Sequence, residues 1–265
     1  MNFTPNLPIL YNQGVCKPSE MPAPDEINTD LTVNGEYWLT FSCSPFQIKE
    51  LAVGFLYNEH SINFHHEIVQ VWLCKDLTNV DVWLNHSVKK PENWKRTSGC
   101  TGGVTTQSPK KEISNTIYEL ICPKIITQSI EILLEEQTQY KLTRGIHCAM
   151  ITDGNDLRYI AEDIGRHNTI DKLAGWMLQI PSVWTRKMIF TTGRISSEML
   201  QKSAHIGASV VVSRTSPTKA SIETATDLNI TLIGYARRNQ FIVYTQPERI
   251  AMSSAKNIDL EIFCV

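Results

Sequence analysis

The chain has 265 residues, 42% of them hydrophobic and 20% charged, with a formal net charge of −2. That content is enough for a large core, in one big domain or two modest ones, and excludes a disordered chain. The charge balance gives no bulk attraction to nucleic acid or to an anionic membrane, although it leaves room for a local basic cleft.

The opening Met1-Asn2-Phe3-Thr4-Pro5 lacks a basic stretch followed by an apolar one, so no secretory signal is expected. No apolar run approaches the roughly 18 residues of a membrane helix. The expectation is therefore a cytoplasmic protein in a reducing compartment, with neither a membrane nor a nucleic acid as partner. Residues 1–30 read as an extended arm. Tyr37 to Cys43 reads as a strand feeding a helix that starts at Ser44-Pro45-Phe46-Gln47. Ser44 is placed to cap, Pro45 to open the helix and Gln47 to complete a capping box. Ile68 to Leu73 and Val80 to Leu84 read as two strands of a hairpin or meander.

Residues 86–111 form a long polar loop rich in Gly, Pro, Ser and Thr, a length that signals function or disorder. Ile130 to Leu142 reads as one amphipathic helix closed near Gly145. The boundary falls near residue 125, giving an N-terminal α+β domain over 1–124 that carries the loop and an α/β domain over 125–265. In the second half His147 to Thr152 and Leu157 to Ala161 are strands joined at Asp153-Gly154-Asn155, and Asp163 opens a helix. Strands then begin at Met188, Ser209, Ile230 and Phe241, with helices at Ser197 and Thr218 between them. This alternation predicts an α/β layer on a largely parallel sheet.

Three features carry chemistry. Seven cysteines at wide spacing, with no CxxC or CxxH pair, argue against a disulfide framework and against a metal site. Most sit in apolar runs and read as buried hydrophobes. Cys100 differs: it lies in Thr97-Ser98-Gly99-Cys100-Thr101-Gly102-Gly103, downstream of Lys95 and Arg96. Glycines free that backbone, and nearby cations favour the thiolate, which is the nucleophile. From the local residues alone, a functional thiol and an incidental loop cysteine both stand. Next come two strand–loop–helix junctions, Phe190 to Ser197 and Val212 to Thr218, each with hydroxyls, one arginine and free helix N–H groups. These suit a phosphate or nucleotide, or ordinary capping. There is neither a Walker A nor a GxGxxG motif. Last, Glu162-Asp163-Ile164-Gly165-Arg166-His167-Asn168 is dense in proton-moving groups. Its plainer and favoured reading is a capped helix start with a solvated polar face. The H-x-E and P-C-x-x-C elements of a zinc deaminase are missing, which argues against that chemistry even on a similar fold.

Together these segments resemble the formate dehydrogenase accessory sulfurtransferase family, FdhD. Val33-Asn34-Gly35 with Leu51-Ala52-Val53-Gly54-Phe55-Leu56-Tyr57 resembles its N-terminal signature. Glu162 to Asn168 with Asp171-Lys172 resembles the central one, followed in order by Thr192-Gly193-Arg194, Ser196-Ser197-Glu198-Met199, Ser213-Arg214, Pro217-Thr218 and Phe241 to Ile250. The resemblance implies a cytidine-deaminase-like three-layer α/β domain at the C-terminus and a smaller β-rich N-terminal α+β domain. It implies a cytoplasmic homodimer that takes sulfur from a cysteine desulfurase as a Cys100 persulfide. It also implies delivery to the molybdenum bis(molybdopterin guanine dinucleotide) cofactor of formate dehydrogenase. Phe241, Ile242, Val243, Tyr244, Thr245 and Gln246 match the cofactor-binding segment, and a guanine nucleotide such as GDP would mimic the cofactor. The family's second loop cysteine falls here on Gly103, and Thr101 stands for its usual glycine, which leaves a one-thiol relay. His60-Ser61 replaces a common Gly-Ile, read as a loop change without functional weight. The alternative is a molybdenum-cofactor-binding chaperone without sulfur transfer.

Overall fold

The structure, a computed structural model, describes residues 8–91, 95–96, 104–105, 120–155, 157–180, 184 and 186–251. Strands β1 (Ile9–Asn12) and β2 (Val15–Pro18) form an exposed hairpin turned at Gln13-Gly14. The extended arm expected over 1–30 is corrected accordingly, since β3 (Ile27–Val33) also starts inside it. β3 pairs antiparallel with β4 (Glu36–Cys43), turning at Asn34-Gly35, where both residues have positive φ. Helix α1 (Ile48–Asn58) follows, then the antiparallel pair β5 (Ile68–Leu73) and β6 (Asn79–Leu84). The four strands form one sheet in the order β4-β3-β6-β5. Its inner face, including Leu31, Val33, Val80 and Val82, packs on Leu51, Phe55 and Leu56 of α1. The strand residues recur every two positions and the helix residues every three to four, so each element turns one side to the core.

The start of α1 is not built as the sequence suggested. Its N-cap is Gln47, in the left-handed region and without a side-chain cap bond. Ser44 and Gln47 instead reach the second half of the chain. The Ser44 hydroxyl accepts from the Ile164 N–H at 3.1 Å, and the Gln47 amide donates to the Tyr159 hydroxyl at 2.7 Å and the Ile160 carbonyl at 2.9 Å. Two short strands, β7 (Lys95–Arg96) and β8 (Val104–Thr105), pair antiparallel.

The second half runs α2 (Pro123–Glu136), α3 (Gln139–Thr143), β9 (His147–Thr152), β10 (Arg158–Asp163), α4 (Arg166–Gln179), β11 (Met188–Thr191), α5 (Ser197–Ile206), β12 (Val210–Ser213), α6 (Lys219–Asp227), β13 (Thr231–Arg237) and β14 (Gln240–Val243). The single helix expected over 130–142 is therefore two. Gln137 is extended, and the Glu162 carboxylate accepts the N–H groups of Thr138, Gln139 and Tyr140 at the start of α3. A buried acceptor draws the backbone out of one helix and caps the next.

The sheet order is β10-β9-β11-β12-β13-β14. Only β11-β12 and β12-β13 pair in parallel. The largely parallel sheet is thus corrected to a mixed one. The turns at Asp153-Gly154-Asn155 and Arg238-Asn239 are too short for a crossover, so β9–β10 and β13–β14 are antiparallel. The three-layer α/β arrangement is as expected. One sheet face (Met150, Phe190, Val212) covers Ile126, Ile130 and Leu133 of α2, and the other (Ile151, Ile189, Val211) covers α4, α5 and α6. Among the described residues no helix is long and apolar enough to cross a membrane.

The two sheets meet through α1 and α4, whose backbones touch at two glycines. A Cβ on Gly54 would lie 1.7 Å from the Asp171 carbonyl oxygen, and one on Gly175 would lie 2.0 Å from that of Glu50. Both obstacles are backbone atoms, so no rotamer change relieves them. Gly54→Ala is expected to cost about 3 kcal/mol by forcing the helices apart. Urea unfolding measures this, and an unchanged midpoint would show that the joint is not tightly packed.

Candidate functional site

The parallel strands β11, β12 and β13 end at one side of the sheet, where antiparallel β9 begins with His147. Two adjoining pockets of about 570 and 490 Å³ open there and share His147, Thr192, Arg214, Thr215 and Arg237. Arg144 lines the first, and Arg166 and Arg194 the second, so five arginines converge on one cleft in a chain of net charge −2. Strand ends in an α/β sheet are where ligands collect. Clustered guanidiniums bind phosphate or carboxylate oxygens through paired N–H groups.

The two predicted junctions form much of this cleft, and they are stitched together. The Ser213 hydroxyl donates to the Gly193 carbonyl at 2.7 Å, and the Arg214 N–H donates to the Thr191 carbonyl at 2.9 Å. Ile195 bridges Pro217 in parallel. Ser196 and Thr218 cap α5 and α6, accepting from Met199 and Ser221 N–H at 3.4 and 3.2 Å. Capping and anion-facing loops thus coexist, because the capping hydroxyls hold the loops in place. Gly193 matters for space: a Cβ there would lie 3.2 Å from Arg166 Cβ and 3.4 Å from His147 Nδ1.

Beneath the cleft lies the Glu162 to Asn168 segment, and its expected solvated face is corrected. Arg166 to Gly175 are all buried. Asp163, fully buried, accepts Lys172 Nζ at 2.6 Å and Ser44 N–H at 3.1 Å on Oδ2, and Gly165 N–H and Asn168 Nδ2 at 2.8 Å each on Oδ1. Further along, on α4, Asp171 pairs with Lys202 at 2.7 Å and accepts Asn58 Nδ2 at 2.7 Å. The polar face is covered because α1 and β4 pack on it, which local sequence does not reveal. His167 contacts Ser196 at 3.5 Å and Glu198 at 3.3 Å. Burial foremost, then Arg166, lowers the pKa of His147. Burial also leads for His167, helped by Lys202 and Arg166 against Glu198. Among the described residues no group of His, Cys, Asp and Glu is arranged to hold a metal.

Cys100 lies outside the described residues. The segment Phe241 to Gln246 forms the end of the sheet: Phe241 and Val243 pack toward the α2 layer, Tyr244 toward the opposite one, and Ile242 is exposed. The Thr245 hydroxyl is buried against the Ile230 carbonyl, and Gln246 takes a left-handed turn. None of the six lines the two pockets, but β14 pairs with β13, which supplies Tyr235 and Arg237. Sequence reading missed Arg144, Arg166, Arg237, Tyr140 and Tyr235 as cleft residues. Arg166 stood inside a noted segment; the others come from separate turns and strands with no local motif. His60 adopts φ 58°, where glycine is unstrained, and its ring meets His205 at 4.2 Å, edge to face. Cys16, Cys43, Cys74 and Cys148 are free thiols, whereas Cys122 is disulfide-bonded, a departure from the expectation of cysteines without a disulfide. Burial raises Cys43 to about 11 and raises Cys148 further, which makes both poor nucleophiles.

The FdhD/NarQ family model matches residues 24–251. The chain is 35% identical to the sulfur carrier protein FdhD of Bacillus subtilis, over 91% of this chain and 94% of that protein. It is 34% identical to the protein of the same name from Staphylococcus haemolyticus, over 91% and 94% respectively. Its fold matches that of a crystal structure from Desulfotalea psychrophila, described as a formate dehydrogenase accessory protein, with a TM-score of 0.75 and 22% identity over 92% of this chain and 97% of that one.

Two outcomes follow from the buried network. Lys172→Met leaves Asp163 charged and without its ammonium partner, and is expected to cost about 3–5 kcal/mol in chemical unfolding. The two histidines have folded pKa values below their usual 6.5, so the folded chain binds fewer protons there than the unfolded one. Their contribution is complete above about pH 6.5 and is lost as the pH falls through the lower folded values. Unfolding midpoints across that window should drop, and His147→Gln with His167→Gln should flatten the drop. An equal slope in the double variant would assign the acid sensitivity elsewhere.

Proposed function

Because the chain belongs to the FdhD/NarQ family, we propose that it is a sulfur carrier serving formate dehydrogenase. Its relatives bear the name sulfur carrier protein, and its structural neighbour that of formate dehydrogenase accessory protein. In this reading Cys100 is the carrier. Its thiolate attacks the outer sulfur of a cysteine desulfurase persulfide; the new S–S bond forms on Cys100 and the desulfurase thiolate leaves. The gain of one sulfur makes the protein a sulfurtransferase intermediate. The protein acts in the cytoplasm as a homodimer, and Gly103 in place of a second loop cysteine leaves the relay to one thiol.

The recipient is the molybdenum bis(molybdopterin guanine dinucleotide) cofactor, which is the substrate of the transfer and not a resident group. The observation that carries this is the convergence of Arg144, Arg166, Arg194, Arg214 and Arg237 on one cleft. A dinucleotide brings a pyrophosphate, and guanidiniums match its oxygens in a site that a chain of net negative charge would otherwise not favour. The hydroxyls of Thr192, Thr215 and Ser216 line the same space. In this reading Phe241 to Gln246, which line neither pocket, contribute through β13, the strand that β14 pairs with. Burial and then Arg166 lower the pKa of His147, which favours its neutral ring in the cleft.

The same cleft would equally serve a cofactor-binding chaperone that transfers no sulfur. The two readings separate on Cys100. After incubation with a cysteine desulfurase and cysteine, mass spectrometry should find one added sulfur on the peptide containing Cys100 and none in Cys100→Ala. That variant should bind GDP normally yet fail to restore formate dehydrogenase in cells lacking the protein; restoration would favour the chaperone. Arg194→Gln with Arg214→Gln is expected to weaken GDP binding about tenfold or more, as measured by calorimetry. Unchanged affinity would remove the cleft from the mechanism.

A further inference from the structure

The solvent face of the four-stranded sheet differs in chemistry from the cleft. Core residues alternate with outward ones, so Asn79, Asp81 and Trp83 of β6 point away from α1. Trp72 of β5 pairs directly with Asp81, Gln70 with Trp83, and Thr32 of β3 with Asp81 on the other side. Tyr37 of β4 pairs in turn with Thr32, so one row runs Tyr37, Thr32, Asp81, Trp72 across all four strands. Directly opposed side chains on one sheet face touch, and diagonal neighbours lie within reach of large rings. The indoles are nonetheless open: Trp72 is 53% and Trp83 45% exposed.

The four strands contain neither lysine nor arginine, and of their three carboxylates Asp30 and Asp81 face outward, while Glu36 pairs with the core residue Val33. Asp30 is occupied, accepting the Thr40 hydroxyl at 2.5 Å. Asp81 is different: its carboxylate has no hydrogen-bond partner among the described residues, and of its two oxygens only Oδ1 is shielded, which leaves Oδ2 as the one a cation can reach. On the same face Lys90 shows what such a surface holds. Its ammonium lies 5.0 Å from the Tyr37 ring centroid and donates to the Tyr37 carbonyl at 3.0 Å. Tyr37 has its cation, whereas Trp72 and Trp83 have none in the cation–π contacts among the described residues.

We propose that this face is a docking surface for an arginine- or lysine-bearing segment of a partner protein, with a cationic side chain seated at Asp81 against Trp72 and Trp83. Charge complementarity selects that occupant. An acidic strand surface carrying aromatic rings attracts guanidinium or ammonium groups by Coulomb and cation–π attraction, and tryptophan anchors protein interfaces more often than most residues. The arginine cleft takes the opposite charge. The chain would thus hold an anionic ligand and a cationic partner at separate places, and the acidic face keeps its chemistry whatever the cleft binds.

The probe is a short peptide alternating arginine and glycine, with a glutamate–glycine twin, titrated into the full chain and followed by indole fluorescence and calorimetry. The arginine peptide should bind and the glutamate peptide should not. Asp81→Asn and Trp72→Ala should each weaken binding about tenfold, with Trp72→Phe keeping most of it. Arg194→Gln with Arg214→Gln should leave it unchanged, and a loss there would place the peptide in the cleft and overturn the proposal. Equal affinity of Asp81→Asn and wild type would overturn it as well. So would concentration-dependent self-association abolished by Trp72→Ala, because the face would then pair two copies of this chain.

Discussion

Much of this structure depends on one buried carboxylate. Asp163 ends β10 and has no access to water, yet it is saturated: Lys172, Asn168, Gly165 and Ser44 all donate to it. An isolated charge at such depth would be prohibitive, and the four donors make it tolerable. The donors come from both halves of the chain. Lys172 and Asn168 lie on α4, Gly165 is its N-cap, and Ser44 leads from β4 toward α1. One side chain therefore fixes the helix start, the joint between the two sheets and the floor of the cleft.

That joint has a second part of a different kind. α1 and α4 meet closely enough that glycine is required on each, Gly54 against the Asp171 carbonyl and Gly175 against that of Glu50. Asp171, on the same helix, is held by Lys202 of α5 and Asn58 of α1. Polar pairs set the register of the helices and the glycines set their distance. A network of this sort favours one arrangement, because a slip would strand buried charges. Arg166, at the first turn of α4, is thereby delivered to the cleft with little freedom to retreat.

The cleft also shows how a nearly balanced chain makes a strong local field. Its arginines come from the end of α3, the start of α4, the loops after β11 and β12, and the end of β13. Only the sheet order brings these together, by placing the ends of three parallel strands beside the start of an antiparallel one. Partial helix charges at α5 and α6 add to the same sign. On the far side of the molecule's first sheet the sign reverses, with carboxylates and indoles and no basic residue in the strands.

The sequence alone pointed to the family, to the order of strands and helices from β9 onward, and to the two hydroxyl- and arginine-bearing junctions. These are local properties, carried by spacing and by residues within one turn of each other. It also singled out Cys100 by its glycine setting, and the segment Phe241 to Gln246 by its resemblance. It misjudged Ser44 and Gln47, whose side chains look like helix caps but bond across to residues more than a hundred positions away. It misjudged the Glu162 to Asn168 face, which reads as solvated because nearly every residue is polar. The tertiary structure decided both, and it decided which arginines share a cleft. Whether a polar group faces water or a distant partner depends on what packs over it, and that is a property of the fold's topology.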